Sequence, residues 1–129
     1  MRFHHSDDAP KAIGPYAQAV EVDGWLFLSG QVGIDPATGE LVGGGFDGEA
    51  RQVLKNLQAV LAAAGCTLSN VVRATIYLID WDNFPHLNQL YADALGDHRP
   101  ARTTIQVSKL PKGARVEIDV IARVPKTES

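Results

Sequence analysis

A single cysteine in 129 residues, Cys66, excludes an internal disulfide, and a lone thiol is expected in a reducing compartment. Long apolar runs are also missing. No stretch reaches the roughly 18 residues that a membrane helix needs, and Met1 to Asp8 contain no apolar core of a secretory signal, so the expected location is cytoplasmic, with no membrane partner. Positive charge is not in surplus: a net charge of −3 leaves no electrostatic footprint for nucleic acid. The four histidines have no second ligand at helical or Cys-x-x-Cys spacing, so no metal site is expected. Gly43-Gly44-Gly45 is not followed by the lysine and serine of a phosphate loop, and no Gly-x-Gly-x-x-Gly follows a strand. Cys66, just past a helix end and with no histidine near it in sequence, reads as a small core or boundary residue rather than a nucleophile.

What is present suffices for one domain over residues 1–129: 45% hydrophobic and 21% charged residues can build a core without staples. Gln18–Asp23 and Trp25–Gln31 read as a hairpin about Asp23-Gly24, a pair suited to the positive φ angles of a tight turn. Asp35-Pro36-Ala37-Thr38-Gly39 is a further turn. With Asp47 as N-cap, Ala50, Val53, Leu54, Leu57, Val60, Leu61 and Ala64 recur at helical spacing until Gly65. Val71–Ile79 reads as a central strand, apolar on both sides. Asp82 would cap a second helix that tolerates Pro85 in its first turn and turns Phe84, Leu87, Tyr91 and Leu95 inward. Ala101–Val107 and Arg115–Val124 complete the order β-β-α-β-α-β-β, an α+β sandwich with two helices on one face of a mixed sheet. Alternating apolar residues on the other face predict that further subunits close it.

Two residues of the last third carry chemistry. In the final strand Val116, Ile118, Val120 and Ala122 alternate with Glu117, Asp119, Ile121 and Arg123, which places Glu117 opposite the aliphatic set. If Arg102 shares that face, the pair offers a planar fork for a carboxylate with an acid/base group beside it; a structural ion pair is the competing reading. Asn88 falls on the inner face of the second helix, as a structural clamp or a site group. Tyr16 follows the rigid Ile13-Gly14-Pro15, Ser29 offers a hydroxyl, and Gly30 lets a ligand approach the backbone.

Taken in order, Ala12-Ile13-Gly14-Pro15-Tyr16, Ser29-Gly30-Gln31, Asp35 to Glu40, Ala63-Ala64-Gly65-Cys66, Pro100-Ala101-Arg102 and the run 110–122 closely resemble the Rid family of reactive-intermediate imine deaminases, from about residue 9 to residue 124. The resemblance implies a chorismate-mutase-like fold and a homotrimer whose sheets form a central barrel, with ligand pockets in the clefts between subunits. It implies hydrolysis of enamines and imines such as 2-aminoacrylate to 2-keto acids and ammonia, without a cofactor. By the same resemblance Arg102 pairs with the substrate carboxylate and Glu117 helps to hold the attacking water. Tyr16, Ser29, Gly30 and Asn88 line the pocket.

Two positions depart from the pattern. Thr104 stands where some members have cysteine; the resemblance gives the bound water to the backbone there, so activity should survive. Arg99 replaces an aromatic before Pro-Ala-Arg, and either it shifts preference toward small or acidic imines or it points into solvent. Two other classes of function stay open: a regulatory protein that binds small carboxylates without turnover, and an endoribonuclease or translation inhibitor, against which the acidic charge counts.

Overall fold

The computed structural model describes residues 1–126, so the last three positions of the expected domain lie outside the described residues. Nine elements follow in order: strands β1 (Arg2–His4), β2 (Ala19–Val22), β3 (Trp25–Leu28) and β4 (Gln31–Val32), helix α1 (Gly45–Ala63), β5 (Val71–Leu78), helix α2 (Phe84–Leu95), β6 (Ala101–Gln106) and β7 (Val116–Arg123). The strands form one sheet in the order β1-β2-β3-β7-β5-β6, with β4 also on β7; β5 and β6 run parallel and the other pairs antiparallel. Val116, Ile118, Val120 and Ala122 of β7 and Ala74, Ile76 and Leu78 of β5 join Val53, Leu57, Leu61 and Leu87 of the helices in one buried core. The expected α+β layering is therefore present.

Several local expectations change. A strand at residues 2–4 was not expected, because its single apolar residue, Phe3, gives no local signal; pairing with β2 makes it. Helix α1 begins at Gly45 after Gly44 in the left-handed region (φ 92°), so Asp47 lies in the first turn instead of capping it. It still ends before Gly65, whose φ of 77° suits glycine. Ahead of α2, Asp80 accepts a bond from the Asp82 amide and caps a short 3-10 turn, Trp81–Asn83; Asp82 lies inside that turn. The helix starts at Phe84 with Pro85 in its first turn, where no amide hydrogen is needed.

The second hairpin strand is broken where the sequence reading ran it through. Phe27 pairs with Ile121 and Gln31 with Ile118, four steps on one side against three on the other. One extra residue is thus inserted at Leu28–Gly30, as in a β-bulge. Strand β5 is interior but not apolar on both sides: Val71, Ala74, Ile76 and Leu78 are buried, whereas Arg73, Thr75 and Tyr77 face away from the helices. On that open face Phe3 (69% exposed), Val22, Trp25, Phe27 (43%) and Ile105 are uncovered by this chain.

Candidate active site

Arg102 and Glu117 do not meet within one chain. Parallel pairing sets Arg102 of β6 level with Ala74 of β5, a core residue, so Arg102 projects to the helix side. Glu117 of β7 is level with Tyr77 and projects to the open face. Two strand spacings, about 10 Å, separate their strands, on opposite faces of the sheet. The sequence left the parity of Arg102 open because nothing in its strand marks which side a partner strand will present.

Around Arg102 the helix α2 supplies a cage. The guanidinium carbon lies 5.5 Å from the centre of the Phe84 ring and 5.3 Å from that of Tyr91, within cation–π range. One guanidinium nitrogen donates to Asn88 Oδ1 at 2.9 Å. Helical spacing puts Phe84, Asn88 and Tyr91 on one face at i, i+4 and i+7, so a single helix turns all three toward the strand. Among the described residues no carboxylate pairs with Arg102. Asn88, Tyr91, Arg99, Pro100 and Arg102 line a cleft of about 280 Å³. Burial raises the Tyr91 pKa while Arg102 and Arg99 act to lower it, and its hydroxyl has no partner among the described residues. Thr104, level with Ile76 and on the same side as Arg102, also has a buried hydroxyl without a partner among the described residues. Arg99 donates from Nη1 to the Gly96 and His98 carbonyls, which ties its guanidinium back to the loop after α2. Arg99 is thus exposed and also lines the Arg102 cleft.

Glu117 lies at the bulge. A Cβ placed on Gly30 would overlap the Glu117 carboxylate and come within 2.9 Å of Cδ, so glycine is what lets the acid lie flat against the strand. Tyr16, Gly30, Ile34, Lys112 and Glu117 line a cavity of about 560 Å³. Burial, and then the charge of Asp119, raise the Glu117 pKa above the usual carboxylate value. Ser29 is a tie more than a ligand: its hydroxyl donates to the Ala17 carbonyl at 2.6 Å and its amide to the Gln18 carbonyl. Buried Gln18 holds the preceding segment through Ser6 and Pro10, which fixes the approach to Tyr16. Sequence reasoning missed this pin, and it missed Phe84 and Tyr91 as partners of Arg102, taking them for plain core. Their spacing relative to Asn88 was the available signal. Among the described residues no three His, Cys, Asp or Glu side chains converge as metal ligands.

The arrangement can bind a small anion at Arg102 and exchange a proton at Glu117. The chain is similar to known proteins over most of its length. The family model described as Endoribonuclease L-PSP matches residues 6–124. The 2-iminobutanoate/2-iminopropanoate deaminase of Mus musculus is 52% identical over 114 residues, covering 88% of this chain and 84% of that protein. Protein DfrA of Myxococcus xanthus is 54% identical over 120 residues, 92% of each chain. A crystal structure of a putative endoribonuclease from Thermotoga maritima superposes with a TM-score of 0.94 at 46% identity, covering 98% of this chain and 99% of that one.

Proposed function

The chain belongs to the Rid family, whose matching model bears the L-PSP description, and from that membership we propose that it hydrolyses 2-imino and 2-enamino acids to 2-keto acids and ammonia. The observation that carries this reading is Arg102: a half-buried guanidinium, oriented by two rings and an amide, with no carboxylate partner among the described residues. Such a fork is suited to the carboxylate of an α-imino acid. With the carboxylate held there, the electrophilic imine carbon is presented to a water, and Glu117 takes the water's proton as oxygen attacks carbon. The carboxyl passes that proton to nitrogen, giving a neutral carbinolamine; as this collapses, the hydroxyl proton moves by way of the same carboxyl to the departing nitrogen, the C–N bond breaks, C=O forms, and ammonia and the keto acid leave. Thr104 contributes through its backbone, Tyr16 and Gly30 shape the wall, and Asn88 orients Arg102. The substrates of choice in this reading are 2-iminobutanoate and 2-iminopropanoate, the compounds in the relatives' name.

Opposite faces of one sheet cannot both touch a three- or four-carbon substrate. We therefore place the site between subunits, the Arg102 side of one copy facing the Glu117 side of another, in a homotrimer whose open sheet faces form a central barrel. The exposed Phe3, Val22, Trp25, Phe27 and Ile105 support burial of that face. Sedimentation equilibrium is expected to give three times the chain mass at micromolar concentration, and a monomer mass there would sink the shared site. The test of the activity couples a threonine dehydratase to this protein. Keto-acid release is expected to accelerate and semicarbazone trapping of the imine to fall; no change in either would overturn the reading.

A further inference from the structure

Beside Glu117 the open face carries a second carboxylate. Glu117 and Asp119 are two positions apart on β7, about 7 Å along the strand, and both point away from the helices. Asp119 does not line the cavity. Its Oδ2 instead accepts a hydrogen bond of 3.0 Å from the hydroxyl of Tyr77, a β5 residue that is itself level with Glu117. Tyr77 thus spans diagonally from the position of Glu117 to Asp119 and holds the second charge in one place. We propose that Asp119, held by Tyr77, is a positioning residue for Glu117: a fixed negative charge on the same sheet face that keeps the Glu117 carboxyl able to take up and return a proton during the reaction.

The charges around Glu117 can be followed element by element. Strand β7 contributes Asp119 and β5 contributes Tyr77, whose own pKa is raised by burial and then by Asp119 and Glu117. Strand β4 brings Gln31 and Val32, and the bulge brings Ser29 and Gly30, none of them charged. The loops bring Tyr16 and two cations to the cavity wall, Lys11 and Lys112; the Lys112 ammonium donates to the Gly39 carbonyl. Arg115 pairs with buried Glu49 of α1, and in the proposed assembly Arg102 of a second copy faces Glu117 as a cation that acts against Asp119. Asp119 is accordingly the nearby charge that raises the Glu117 pKa, second to burial. A carboxyl of ordinary acidity is a weak base near neutrality, so this increment strengthens proton uptake from water.

The proposal rests on the deaminase reading for what the proton does, but not for where the charges lie, and two measurements separate these. The Glu117 carboxyl is titrated by ¹³C NMR in the full-length protein, in Asp119→Asn and in Tyr77→Phe, and the pH profile of kcat/KM is recorded for each. Asp119→Asn is expected to lower both the titration midpoint and the acid limb of the profile by about half to one pH unit. Tyr77→Phe, which releases Asp119 from its fixed position, should move both in the same direction by less. A midpoint unmoved in Asp119→Asn overturns the proposal; so does a midpoint that moves while the acid limb of an active enzyme stays in place. If imine turnover is absent altogether, the deaminase reading fails and the NMR midpoint alone decides the charge coupling. Should Asp119→Asn not fold, Tyr77→Phe, which loses one hydroxyl, decides by the same criteria.

Discussion

Glu117→Gln is expected to lower kcat/KM for imine hydrolysis by about 10²- to 10⁴-fold, the usual contribution of a positioned acid/base group. The amide keeps the shape and the contact with Gly30 but can neither take the proton from water nor return it to ammonia. Folding should not suffer. Burial raises this carboxyl's pKa, so the folded protein loses stability as pH climbs through the raised value, and glutamine removes that cost at neutral pH. Loss of turnover should therefore come with an unchanged or slightly higher urea midpoint. Gly30→Ala tests the same carboxylate from the other side, because its methyl must push Glu117 out of place. A smaller loss is expected there, since the end of a flexible side chain can yield. Full turnover in Glu117→Gln would remove this residue from the chemistry.

Arg102→Lys should cost at least about 10²-fold in kcat/KM although the charge is retained, with much of the loss in KM for substrates bearing a carboxylate. A guanidinium can lie over the Phe84 and Tyr91 rings, give one hydrogen to Asn88 and still present two parallel donors outward. An ammonium is a point donor on a flexible stem: it cannot keep the Asn88 bond and offer a bidentate edge at once. The imine carbon then wanders relative to the attacking water. Steady-state kinetics on imines made in situ by an amino-acid oxidase would show this. A wild-type KM and rate in the lysine variant would mean that the substrate carboxylate is held elsewhere.

The sequence by itself determined the parts that depend on short-range pattern. Period-two alternation put Glu117 opposite Val116, Ile118, Val120 and Ala122, and the structure keeps that parity because a strand has two faces and the aliphatic one must be buried. Helical spacing located α1, and Asp23-Gly24, both at positive φ, made the hairpin turn. The two layers followed from element order, and the resemblance pointed to the family. Tertiary structure decided what depends on register between distant strands. The level of β6 against β5 sends Arg102 to the helix side, into a cage of α2 residues, and one inserted residue near Gly30 lays the Glu117 carboxylate against a backbone without a Cβ. Likewise Asp119 meets Tyr77 across 42 positions. Periodicity fixes the face of a residue within its own strand, whereas the partner it meets there is set by how strands remote in sequence align when the core packs.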